Sequence, residues 1–134
     1  MLEFIDLNWW AVLVATVLGF ALGGLWYGPL FGNAWLAAMG KSAESLEPSA
    51  TPFIVSFFTS LATAIVLAAL IASLGIVGWS GGLILGLITG VGFIAASMAS
   101  DTAFCGWGMN LFLIQAGYRV SYSVIMGAVL GGWQ

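Results

Sequence analysis

The chain has 134 residues, of which 62% are hydrophobic and 5% charged, with a net charge of −3 and a mean hydropathy of +1.13. A soluble domain carries roughly a quarter charged residues, so a water-exposed globule is excluded, and with no basic patch so is nucleic-acid binding. There is no histidine and one cysteine, Cys105, so neither an internal disulfide framework nor an ordinary zinc site is expected, and no cofactor is called for.

The N-terminus, MLEFIDLNWW, carries Glu3 and Asp6 where a signal peptide would carry lysine or arginine. It reads as the start of a retained helix. Four apolar stretches follow, over residues 8–27, 53–74, 80–100 and 110–132. Each reaches the roughly 20 residues of helix that cross a bilayer core of about 30 Å. The alternation of a membrane barrel is missing. The expectation is an all-α integral membrane protein: a single domain over residues 1–134, its four transmembrane helices in an antiparallel bundle, its partner the lipid bilayer. Such a multi-pass protein belongs in the cell membrane, with both termini on the same side.

Gly28-Pro29 is expected to close the first helix, and Thr51-Pro52 to open the second with Thr51 as N-cap. Gly75 to Gly78 and Phe104 to Met109 read as tight turns. The tryptophans support this division. Trp9, Trp10, Trp79 and Trp133 fall at the end that holds the termini, which we call the terminal side. Trp26, Trp35 and Trp107 fall at the other, the loop side, as expected of an aromatic belt.

The one sizeable loop, residues 30–51, carries Phe31, Trp35, Leu36 and Met39 at helical spacing. A short helix lying on the membrane surface is expected there. Glu44 and Glu47 read as solvated. Lys41 is the only loop cation, so the positive-inside rule places this side in the cytoplasm.

The helix faces differ. Thr16, Gly19 and Gly23, with Gly24 and Gly28, give the first span small residues. Gly82, Gly86 and Gly90 do so at strict four-residue spacing in the third. Such faces let backbones approach in lipid, either as static packing or as a sliding seam. In the second span Ser56, Thr59, Ser60 and Thr63 form one hydroxyl stripe. It reads as packing glue or as a polar lining.

The fourth span is the polar one. Gln115, Arg119, Tyr122 and Ser123 share a face, flanked by Asn110, Tyr118 and Ser121. A helix this polar must face protein or water over most of its girth. Arg119 lies about 13 Å in from the loop side at 1.5 Å per residue, near mid-bilayer. A central charge there costs from about 2.5 to well over 10 kcal/mol, so pairing or hydration is expected. Side chains lean towards their own helix N-terminus, which turns Arg119 and Asp101 towards each other. Their offset is about 10 Å, a gap that Tyr118, Tyr122 or a water could close. Glu3 and Asp6 lie on the far side. The pair is either a structural clasp or an open site for an anion, a polar solute or a proton path.

The stretch LWYGPLFGNAW (Trp26, Tyr27, Gly28, Pro29, Phe31, Gly32 and Trp35 within it) and the stretch LFLIQAGYRVSYSVIMGAVLG (with Ile114, Ala116, Gly117 and Tyr118) carry a resemblance. Together they resemble the bacterial membrane family catalogued as domain of unknown function 1761, over nearly the whole chain. The family has Asn more often than Gln at the position of Gln115. The resemblance implies four spans and no activity. It directs attention to the loop side, where Tyr27 joins Asp101, Asn110, Gln115, Arg119, Tyr118 and Tyr122 as candidate site residues.

Three functions compete. A transporter- or channel-like protein for a small polar solute or ion is expected to work as a homo-oligomer, because four helices are few for a pore. An accessory or structural protein would use its polar fourth helix to bind a partner subunit or lipid. An enzyme is not expected, for no nucleophile–base set, HExxH, GxSxG or phosphate loop is present.

Overall fold

The computed structural model describes residues 4, 6–42 and 49–134; Glu3, Glu44 and Glu47 lie outside them. Helix α1 spans Trp9–Leu25 and continues into a π-helical turn, Trp26–Leu30. Next come α2 (Gly32–Met39), α3 (Thr51–Leu74) and α4 (Trp79–Thr89). A second π-helical turn, Gly90–Ala95, joins α4 to α5 (Ala96–Cys105), and α6 (Met109–Gly132) ends the chain. These make four apolar spans, Trp9–Leu30, Thr51–Leu74, Trp79–Cys105 and Met109–Gly132. The protein is a multi-pass membrane protein, with the short helix α2 between its first and second spans.

Local chemistry sets the boundaries. Asn8 caps α1: its Oδ1 accepts from the Ala11 N–H at 3.2 Å, while its Nδ2 donates to the Trp133 carbonyl at 3.0 Å. The start of the first span thereby meets the end of the last. Gly75 and Gly106 take left-handed conformations, φ +67° and +71°, that let the next residue's N–H reach back to a helical carbonyl. The Ile76 N–H donates to Ile71 and the Trp107 N–H to Thr102, both at 3.0 Å.

Three boundaries depart from expectation. Pro29 does not stop the first helix. It has no N–H and would clash with the carbonyl four residues back, so the backbone widens into a π turn and the Phe31 N–H donates to the Trp26 carbonyl at 2.8 Å. The cap of α3 is Ala50 rather than Thr51; the Thr51 N–H donates to Ser49 Oγ at 3.2 Å. The third span runs to Cys105, giving it 27 residues, or about 40 Å of helix at 1.5 Å per residue. Its end therefore overruns a 30 Å core by roughly 10 Å.

Helix α6 is the hub. Its partner α4 buries only glycines, Gly82 and Gly86, with Gly90 beyond them. A Cβ on Gly82 would strike the Gly127 carbonyl, and one on Gly86 the Ser123 carbonyl. The contact is reciprocal, because a Cβ on Gly127 would strike the Gly82 carbonyl. Two backbones touch here with no side chain between them, as small-residue seams in lipid allow.

Side chains fill the other half of the interior. Ala11, Val12, Ala15 and Thr16 of α1, Ala64, Leu67 and Ile71 of α3, and Tyr118, Tyr122, Met126 and Leu130 of α6 are all buried. Gly19 and Gly23 make room for Met126 and for the Tyr118 hydroxyl. Gly24 and Gly28 face open space and belong to no seam. The outer surface carries Phe53, Phe58, Ile84, Ile88, Phe93 and Leu113, all more than half exposed. Lipid, not water, suits that surface.

Candidate functional site

The tyrosine hydroxyls of the fourth span face α1 and α3, whereas Ser123 packs against Gly86 and Gly90. Tyr118 donates its hydroxyl proton to the Gly19 carbonyl of α1 at 2.9 Å. The Tyr122 hydroxyl and Thr63 Oγ1 of α3 lie 3.1 Å apart and share a hydrogen bond. Each tyrosine ties α6 to a different neighbour, and their rings lie 5.2 Å apart.

Arg119 lies between them. Its Cζ is 5.0 Å from the centre of the Tyr118 ring and 5.2 Å from that of Tyr122. Two such contacts contribute roughly 0.5–2 kcal/mol each. They satisfy the positive charge from the ring faces but none of its N–H donors. Arg119 Nη1 is buried and has no hydrogen-bond partner. The same holds for Ser60 Oγ, which lies beside the Tyr118 hydroxyl. A third buried donor, Trp35 Nε1, is also unpartnered. Trp35 packs edge-on to Tyr27 at 5.0 Å, and Tyr27 packs on Tyr118 at 5.4 Å. A buried polar group without a partner costs about 1–3 kcal/mol, so three in connected side chains need an explanation.

The π turn brings the aromatics together. Trp26, lifted by the widened backbone, donates Nε1–H to the Ile114 carbonyl at 2.9 Å and stacks on Phe31 at 4.7 Å. Trp26 and Trp35 thus turn inwards, whereas Trp9, Trp10, Trp79, Trp107 and Trp133 stay exposed as an interfacial belt requires.

Of the residues expected at the site, Tyr27, Tyr118, Tyr122 and Arg119 form one cluster. Gln115 stands one turn above Arg119 on α6. Asn110 is exposed at the start of α6. Asp101 is exposed on α5, and no ion pair joins it to Arg119 or to any other described residue. The reason is rotational. From Gly90 to Asp101 is 11 positions (101 − 90), which in a regular helix is a rotation of about 20° from the glycine face. The π turn between them inserts an extra residue, about 100° of rotation, and swings Asp101 outwards. Asp101→Asn should therefore change thermal stability in detergent by less than about 0.5 kcal/mol; a larger loss would show that the carboxylate has a partner.

Ser60 and Thr63 belong to the site although sequence placed them only in a hydroxyl stripe. Thr59 instead turns back on its own helix, its Oγ1 donating to the Ser56 carbonyl at 3.0 Å, while Thr63 Oγ1, besides meeting Tyr122, donates to the Thr59 carbonyl at 2.9 Å.

Two clefts open at opposite ends of the bundle. On the loop side a cleft of about 390 Å³ lies between α2 and the turn before α6, lined by Lys41, Trp107, Gly108, Leu111 and Gln115 among others. On the terminal side one of about 290 Å³ is lined by Asp6, Asn8, Leu130, Trp133 and Gln134 among others. Between the second cleft and Arg119 the interior is closed by Met126, Val12 and Thr16, each at most 1% exposed.

The family description "Protein of unknown function (DUF1761)" matches residues 10–131. The chain belongs to this family. The match takes in all four spans but for one residue at each end. No curated protein and no solved structure matches it. Among the described residues no group of histidine, cysteine and acidic side chains could hold a metal ion.

Proposed function

We propose that this DUF1761 protein is a transporter- or channel-like protein of the cell membrane, with a small polar solute or ion held at an interior site centred on Arg119. It acts without catalysis, as a homo-oligomer, with both termini on the same side. The observation that carries this reading is the buried, unpartnered Nη1 of Arg119. A guanidinium inside a membrane protein is costly unless something accepts from it. Neither Asp101 nor any other described carboxylate does. The remaining donors, Ser60 Oγ and Trp35 Nε1, also need acceptors. The solute that fits is a small anion, and a monoanion balances the one buried charge where a dianion would leave an excess.

The second reading is an accessory protein that binds a partner subunit or lipid. The fourth span supports it poorly, since Tyr118, Tyr122 and Ser123 are buried inside the bundle. Helix α5 favours it more: none of its residues is buried, and Ser100 and Asp101 are exposed on it.

The test is uptake of radiolabelled methanesulfonate, a permanently ionised monoanion, into proteoliposomes. Uptake above that of empty vesicles is expected for the wild type. Arg119→Gln should lower it at least about thirtyfold, the equivalent of about 2 kcal/mol for a charge-assisted hydrogen bond. Equal uptake by both proteins would remove Arg119 from the pathway. Stable co-purification with another membrane protein, with no uptake, would favour the accessory reading.

A further inference from the structure

We infer that the cleft beneath α2 is an anion-selective vestibule, through which a small monoanion enters from the loop side, and that Lys41 attracts it there. The inference extends the proposed function but rests on separate residues. The chain has only two basic side chains. Lys41 lines the cleft, together with Gln115. Arg119, the other, is four positions further along α6, about 6 Å at 1.5 Å per residue. The two cations thus mark the mouth and the end of one short path. The side chains along it donate: the Lys41 ammonium at the mouth, the Gln115 amide midway, and the unpartnered Arg119 Nη1 within. Trp35, whose buried Nε1 is also unpartnered, sits three and four positions before Ala38 and Met39, which roof the cleft. It therefore shares their face of α2.

No carboxylate lines this cleft among the described residues, whereas Asp6 lines the one at the other end. A cleft lined by one sign of charge between apolar walls concentrates the opposite ion and raises its rate of arrival. Among the described residues the linings of the two clefts therefore differ in sign. The route from the loop side stops one turn short of Arg119, and the route from the terminal side is closed by Met126.

The test uses thiol chemistry and needs no knowledge of the natural solute. Cys105 is the single cysteine and is exposed, so it serves first as a reference and is then replaced by serine. Gln115→Cys places a thiol in the cleft. Gly108→Cys places one at its mouth, where an added Cβ meets nothing within 4 Å, and so keeps the test open if the first variant does not fold. Each is treated with a negatively charged sulfonate methanethiosulfonate and with its positively charged trimethylammonium analogue. The ratio of the two rates is compared with that at Cys105. A ratio shifted towards the anionic reagent by about fivefold or more is expected from a nearby unit charge, and Lys41→Gln should abolish most of the shift. No shift, or a shift that survives Lys41→Gln, overturns the vestibule. Methanesulfonate should also slow modification of Gln115→Cys while Arg119 is present. An anionic preference without that protection would uphold the vestibule and count against the interior site.

Discussion

Gly86→Leu is expected to be among the most damaging single substitutions in the chain. Its Cβ would occupy the place of the Ser123 carbonyl on α6, and a backbone cannot step aside as a side chain can. Overpacking costs about 1–3 kcal/mol where neighbours can move. Here two helices must part along their whole glycine seam, so a loss of about 3 kcal/mol or more is expected. The measurement is the thermal midpoint of the purified protein in mild detergent, with Gly92→Leu as the control. An added Cβ at Gly92 meets nothing within 4 Å, so that variant should melt within about 0.5 kcal/mol of the wild type. If both melt alike, the third and fourth spans are not held backbone to backbone.

The second large effect has the opposite sign. Arg119→Met is expected to stabilise the ligand-free protein. A charge near mid-bilayer costs about 2.5 kcal/mol at the least, and Arg119 offsets this only through the faces of Tyr118 and Tyr122. Those contacts are worth roughly 0.5–2 kcal/mol each, and the buried Nη1 remains unsatisfied. Methionine fills a similar volume without the charge. A gain of about 1 kcal/mol is expected, with loss of anion binding. Function would then be retained at the expense of stability, as is common at binding sites. A structural clasp predicts the reverse: removing one member of a buried pair destabilises by about 3–5 kcal/mol.

How far sequence reached depended on which physical signal was involved. The four spans were legible because hydropathy over some 20 residues averages out local irregularity. The short helix α2 was legible because Trp35, Leu36 and Met39 recur at helical spacing. The π turns were not, since an extra residue inside an apolar run leaves hydropathy unchanged and alters only the phase. That hidden rotation explains why Asp101, which a regular helix would keep on the face of Gly90, points outwards. The tyrosines of α6 were legible as polar residues needing partners. Their partners were not, because Gly19 donates no side chain to recognise and Thr63 looked like one hydroxyl among four. Trp26 and Trp35 resembled belt residues by position; only the widened backbone at Pro29 reveals that they turn inwards.

The most direct test of the central claim is the thermal midpoint of the wild type and of Arg119→Met, each measured across increasing methanesulfonate at constant ionic strength. A ligand that binds the folded state raises its stability in proportion to the logarithm of concentration once the site is filled. The wild-type midpoint should start lower than that of Arg119→Met and rise with the anion, while the variant's stays level. A wild-type midpoint that starts higher and does not move would mean that Arg119 holds the bundle together and receives no anion.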